Sequence, residues 1–346
     1  PAPPEVSDVT DTVAEQQDAA SRTWNATHRA AATAVALGAM SFILTQTFPD
    51  ETWLSPTVFA VSGVLAVVLG WTMSPRVGFI AAAPALGAVP GTAAIGMSLF
   101  LGLPSAAIWP LALGLAWLVL GVAGSRRASL GGALGVFLAV IPLVLTLFGA
   151  PIDGIAAVVA VCVTLALGAL PSVALAVAGV TKLDDDGMAG TPVARTSVLA
   201  RVADAYGMFT WAIAAAASFG AWALATLLSS TQIFAGLLGI VLALVLALRT
   251  RVMPHAVQAW VLWASILAGL VAVGFLPHHW SNGTPLLSVL VCAIVIVLLG
   301  TVRPRLHTRV RWRRFGDVLE GLAALAMLPL TLGTFDVYEH LLAVFG

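Results

Sequence analysis

Charge is what this sequence most conspicuously lacks. Only 9% of its 346 residues are charged, against about 25% in an ordinary soluble domain. With 60% apolar residues, there is too little polar surface to cover a water-soluble particle of this size. A soluble fold is excluded, and the solvent implied is lipid. Cysteine is nearly absent as well. Cys162 and Cys292 both lie inside long apolar runs, so neither a disulfide framework nor a cysteine metal cluster can be assembled from them. Lysine occurs once, as Lys182, and nearly all positive charge is therefore arginine.

Also missing are the usual marks of chemistry. The chain has no Walker loop, no Gly-x-Ser-x-Gly elbow and no dinucleotide fingerprint. No carboxylate, His or Lys falls in the middle of an apolar run, where proton- and ion-coupled transporters place one. Glu320 and Asp336 lie toward the ends of the last run, and both are expected to reach water by snorkelling or capping. His278 and His279 are adjacent rather than at the i, i+4 spacing of a helical metal pair. Asp184 to Asp186 lack the alternating ligands of a calcium loop. Asn25 and Asn282 each begin a glycosylation tripeptide, but the topology below puts them on opposite sides of the membrane, so at least one match is accidental. No cofactor, metal or nucleic-acid site is expected.

Eleven apolar stretches approach the roughly 20 residues that a hydrocarbon core demands. Their approximate limits are 30–48, 55–73, 78–101, 105–123, 129–149, 153–178, 207–228, 231–248, 256–276, 284–302 and 318–345. The expectation is an all-α polytopic membrane protein, with residues 1–29 as a cytosolic linker and juxtamembrane helix and 30–346 as one transmembrane domain. Thr12 to Glu15 has the spacing of a capping box that would start the juxtamembrane helix.

All 16 basic residues fall on alternate connections. Arg22 and Arg29 precede the first stretch, Arg76 follows the second, and Arg126 and Arg127 follow the fourth. Lys182, Arg195 and Arg201 occupy the longest loop, Arg249 and Arg251 follow the eighth stretch, and Arg303, Arg305, Arg309, Arg311, Arg313 and Arg314 follow the tenth. The positive-inside rule then puts the amino terminus in the cytoplasm and the carboxyl terminus outside. Trp24, Trp53, Trp71, Trp109, Trp280 and Trp312 stand at stretch ends as candidate interfacial anchors. The pairs Gly87/Gly91, Gly131/Gly135 and Gly236/Gly239 would permit close helix approach. Pro84, Pro90, Pro110, Pro142, Pro171 and Pro329 predict kinks whose freed carbonyls neighbouring helices can satisfy.

Four segments carry a resemblance. They are Ser21-Arg22-Thr23-Trp24 with His28-Arg29-Ala30-Ala31-Ala32 before the first stretch, and Leu170-Pro171-Ser172-Val173-Ala174-Leu175-Ala176-Val177-Ala178-Gly179-Val180 at the end of the sixth. With them come Leu248-Arg249-Thr250-Arg251 leaving the eighth, and Arg313-Arg314-Phe315-Gly316-Asp317-Val318-Leu319-Glu320 with Pro329-Leu330 and Asp336-Val337-Tyr338 in the last. In order and spacing the whole chain resembles EccD, the eleven-span subunit of type VII (ESX) secretion systems, with Val177 where that family has an arginine. The resemblance implies a non-catalytic scaffold in the bacterial inner membrane, which pairs with a second copy of itself around a lipid-filled space. It also implies partners of the EccB, EccC and EccE kinds, membrane lipids, and no catalytic residues or cofactor. Members of that family carry an amino-terminal ubiquitin-like domain, and the Pro1 start inside a linker is expected to follow such a domain.

The arginine-rich connection from Arg303 to Arg314 is the candidate contact for lipid or for a cytosolic partner. The number of spans alone also fits a secondary transporter or permease for a small solute, and the longest loop falls where many transporters join two halves. Only five spans follow that loop, which argues against two equal six-span halves. An intramembrane enzyme would need a buried acid, His or metal set that the sequence does not offer.

Overall fold

A computed structural model describes residues 33, 34, 36–38, 40, 41, 54–99, 105–179, 195–275, 309–338 and 341. The described residues build nine α-helices: α1 (Leu54–Thr72), α2 (Pro75–Leu99), α3 (Ser105–Ala123), α4 (Ala128–Leu147), α5 (Ile152–Ala178), α6 (Arg195–Ser229), α7 (Ile233–Arg249), α8 (Ala256–Phe275) and α9 (Arg309–Thr334). No strand occurs among them. Helices are what lipid permits, because each segment then satisfies its own backbone groups. Six of these helices are long and apolar enough to cross a membrane. Helices α1 to α5, α7 and α8 follow the second to sixth, eighth and ninth apolar stretches closely. The tenth stretch lies outside the described residues, and the first is described only at its helical residues 33, 34, 36–38, 40 and 41.

Two helices depart from the apolar limits. Helix α6 begins at Arg195, twelve residues before the expected 207, because Arg201 and Asp204 find partners on neighbouring elements and extend the helix beyond its apolar part. Helix α9 begins at Arg309 rather than 318 and runs to Thr334, after which residues 337, 338 and 341 are again helical and the expected limit of 345 lies outside the described residues. Its end is a turn in which the Phe335 and Asp336 N–H groups donate to Leu332 O and Gly333 O at 3.2 Å. Asp336 takes a left-handed φ of 57°, a conformation that short polar side chains tolerate better than most.

Helix α6 is the axis of the bundle. Of the residues in its apolar window 67% are buried, against 17% for α9 at the periphery. Helices α5, α8, α4 and α7 pack on α6, and α9 packs on α7 and α5. Helices α1 and α2 pack on each other and on α3, and α3 packs on α4 and so continues the bundle; aromatic rings add a link to α6. Trp211 meets Phe79 edge-on at 5.1 Å and Trp117 at 6.3 Å, and Trp117 Nε1 donates to Ser218 Oγ at 2.9 Å.

Lipid tails are as apolar as leucine, so helix association here relies on close packing rather than on burial from water. Small residues supply it. A Cβ on Gly70 would fall on Ala123 O, and one on Gly78 would meet Gly70 Cα, Ala123 O and Ala66 O within 3 Å. Gly131 rests on the Trp211 backbone and Gly135 on the Trp117 side chain, so that sequence pair is a true packing site.

Candidate functional site: the arginine-bearing end of the bundle

Alternate connections bring the described basic residues to one end. Arg76 opens α2 beside the end of α1, where Gly78 touches Gly70 and Ala123 of α3. Arg127, just before α4, pairs with Asp204 of α6 at 2.8 Å. Arg201 of α6 donates through Nη1 to Ala178 O at the end of α5, at 3.1 Å. That bond satisfies one of the four carbonyls a helix end leaves open and sets a cation against the negative end of its dipole.

The most connected arginine is Arg249, at the end of α7. Its Nη1 is bound to Glu320 Oε1 of α9, and its Nη2 donates to Leu167 O of α5 at 2.9 Å. Both charged side chains are largely enclosed, with 23% of the Arg249 side chain and 16% of that of Glu320 exposed. The Leu167 carbonyl is available because its helical partner four residues on is Pro171, which has no N–H. The expected rescue of a proline-freed carbonyl by a neighbouring helix thus occurs here, through a guanidinium. Glu320, expected to snorkel or cap, is instead held in an interhelical ion pair. The positive group within reach of its position is closer than water.

Next to it, Arg251 donates through Nε to Leu248 O at 3.2 Å, and its guanidinium covers Gly316 of α9, where any side chain would displace it. Deeper in the same end, Gln258 of α8 is fully buried. Its Nε2 donates to Thr210 Oγ1 at 2.9 Å, and its Oε1 accepts from the His255 backbone N–H at 3.4 Å. The His255 ring stands edge-on to Tyr206 at 4.9 Å. Sequence reasoning passed over Gln258, although an amide inside an apolar run needs an interhelical partner.

Of the six arginines expected to contact lipid or partner, Arg303 and Arg305 lie outside the described residues. Arg309, Arg311, Arg313 and Arg314 form the first turns of α9, continuous with its apolar part, and the Arg314 side chain is exposed. A stretch read as a connection is therefore a helical extension of the last span. Trp312 belongs to it. Among the other expected anchors, Trp71 is exposed and donates to Val122 O at 3.0 Å, while Trp109 packs against the small core around Phe59, Ala85 and Val89. Trp24, Trp53 and Trp280, His278 and His279, Asp184 to Asp186, Asn25 and Asn282, Cys292 and the Thr12 to Glu15 capping box lie outside the described residues.

The opposite end carries acid. Ser230 Oγ donates to Asp153 Oδ2 at 2.6 Å, and Tyr338 Oη donates to Pro329 O at 2.9 Å. An open groove of about 390 Å³ between α1, α2 and Leu37 is walled by Val58, Val61, Leu65, Ile80 and Pro84 and carries no ionisable group. Cys162 is a free thiol packed against the main core. Among the described residues no three of His, Cys, Asp and Glu gather as a metal site. What the arginine-bearing end supplies is polar linkage between helices and an exposed cationic surface.

Compared with known proteins, residues 25–344 match the family model described as the EccD-like transmembrane domain. No curated protein matches the chain. Among solved structures, protomer 1 of the ESX-3 core complex superposes with a TM-score of 0.60 at 17% identity, over 98% of this chain and 80% of that one. At that identity the likeness is one of fold.

Proposed function

The chain belongs to the EccD family, and from that membership we propose that it serves as a non-catalytic membrane subunit of a type VII secretion complex in the bacterial inner membrane. The observation that carries this reading is the family match over residues 25–344, nearly the whole chain. The fold likeness to a protomer of the ESX-3 core complex supports it.

In this reading the chain crosses the membrane eleven times, with its amino terminus in the cytoplasm and its carboxyl terminus outside. The arginine-bearing end faces the cytoplasm, as the positive-inside rule requires. The subunit pairs with a second copy and holds EccB-, EccC- and EccE-like partners together while making no bonds itself. Arg303, Arg305, Arg309, Arg311, Arg313 and Arg314 contact anionic lipid or an acidic segment of a cytosolic partner. Purification from the native membrane in mild detergent, followed by mass spectrometry of co-purifying proteins, tests the assignment. Recovery of an ATPase and further membrane subunits at fixed ratio is expected, and a chain that purifies alone while driving uptake of a small solute would overturn it.

A further inference from the structure

The open groove beside α1 and α2 has an apolar length and one cationic end. Its floor is α2. On one side the first apolar stretch rests directly on that floor: a Cβ on Gly38 would lie 3.2 Å from Ala83 O, and Ser41 Oγ donates to Pro84 O at 2.8 Å. On the other side α1 packs against α2. The lining is aliphatic apart from the hydroxyls of Thr57 and Ser62, and Ser62 gives its proton to Val58 O of its own helix.

Arg76 stands at the head of this groove. It precedes Ile80 and Pro84 of the floor by four and eight residues in α2, a spacing that keeps all three on one helix face. Side chains of a helix lean toward its N-terminus, which carries this guanidinium past the groove to its mouth. Arg76 is exposed. Arg127, Arg201, Arg249 and Arg251 each bind a carboxylate or a carbonyl, whereas Arg76 has no such bond among the described residues. No acid occurs in the sequence between Leu54 and Arg126. At the far end the sense of charge is reversed, since Asp50 and Glu51 precede α1 in sequence.

We propose that the groove seats one acyl chain of an anionic phospholipid whose phosphate is bound by Arg76. The occupant must be apolar along its length and anionic at one end, and it must enter from the bilayer, on which the groove opens. Depth agrees with this. Ile80 and Pro84 lie roughly 6 and 12 Å below Arg76, and Leu65 roughly 10 Å from the end of α1, within the ~15 Å that one leaflet of tails occupies. A guanidinium offers phosphate a forked pair of charge-assisted hydrogen bonds. The acids beyond the far end disfavour the same lipid in the reversed sense. The inference needs these helices to lie in a bilayer, and it stands whether or not the chain serves in secretion.

The test uses the full chain in lipid nanodiscs, with Cys162 and Cys292 replaced by alanine and a bimane label on Val68→Cys at the groove edge. A label on Phe137→Cys of α4 is the reference, and both positions are exposed. Phosphatidylglycerol or phosphatidylcholine brominated on its acyl chains is added at equal mole fraction. At Val68 quenching by the brominated phosphatidylglycerol should saturate while that lipid is still a minor component, with an enrichment of roughly fivefold over phosphatidylcholine for the one cation. Arg76→Gln should abolish the excess at Val68 and leave Phe137 unaltered. Arg314→Gln removes the same charge from α9, which does not pack on α1 or α2, and should change neither. Ala81→Phe, which fills the groove and leaves Arg76 in place, should also remove the excess, with unaltered Phe137 quenching as the check that the variant is still folded in the bilayer. Soluble glycerol phosphate should not relieve the quenching, because it has no tail to hold. Proportional, equal quenching by the two lipids at Val68, or an excess that survives Arg76→Gln, would overturn the site.

Discussion

The guanidinium of Arg249 stands in for the N–H that Pro171 lacks: Nη2 donates to Leu167 O at 2.9 Å, the carbonyl four residues before the proline. The two residues are far apart in sequence and on different helices, yet each explains the other. The proline creates an acceptor inside an apolar helix, and the arginine gains a second partner that lets its charge be enclosed.

Substitution at this site should be coupled. Arg249→Ala leaves Glu320 and Leu167 O without their donor, and loss of one member of an enclosed pair costs about 3–5 kcal/mol. Arg249→Lys retains charge but cannot fork between two acceptors, so a smaller loss is expected. Pro171→Ala restores an N–H to Leu167 O. The penalty of Arg249→Lys should then shrink in the Pro171→Ala background, measured as detergent-resistant unfolding in a double-mutant cycle. Strict additivity would show that the proline and the arginine are independent.

Glycine positions should divide by what lies over them. Gly78→Ala must push α1 and α3 backbones apart, since Gly70 Cα, Ala66 O and Ala123 O all lie within 3 Å of the added carbon. A clear fall in melting temperature is expected. Gly321→Ala in α9 meets nothing within 4 Å and should be neutral or stabilising by about 0.5–1 kcal/mol, from helix propensity alone. Equal effects at the two positions would contradict the close approach of α1, α2 and α3.

Much of the fold was legible because lipid imposes a length and a polarity on each segment. Helices α3, α4, α5 and α7 end within two residues of the apolar limits read from sequence. The misjudged starts of α6 and α9 are where apolar content stops and helix does not: Arg201, Asp204 and Arg309 to Arg314 extend the helices on polar residues. The site was less legible. Arg249 read as a topology signal and Glu320 as a snorkelling acid, and no local pattern could pair residues 71 positions apart. Nor could spacing single out Gly70 and Gly78, which sit on different helices and matter through each other.

The proposed sidedness rests on charge and can be checked with labels at exposed positions. In a chain with Cys162 and Cys292 replaced, Ser129→Cys lies at the arginine-bearing end and Thr231→Cys in the connection between α6 and α7 at the opposite end, both exposed. Impermeant maleimide added outside intact cells should label Thr231→Cys, while Ser129→Cys should react after permeabilisation alone. Labelling of both from one side would sink the orientation proposed from the basic residues.

The arginines at the start of α9 admit a sharper test now that they are helical. If they only fix topology and attract anionic lipid, worth about 1 kcal/mol per cation near the surface, positive charge is all that matters. If they dock an acidic segment of a cytosolic partner, the forked guanidinium matters as well, because lysine cannot reproduce bidentate hydrogen bonds. Arginine and lysine have nearly equal helix propensity, so replacing Arg309, Arg311, Arg313 and Arg314 with lysine should leave the helical extension of α9 and its insertion intact. Docking predicts that the lysine variant releases a partner from the purified complex and reduces secretion. Retention of every partner at the unaltered ratio, with normal insertion, would leave these residues with a topological role alone.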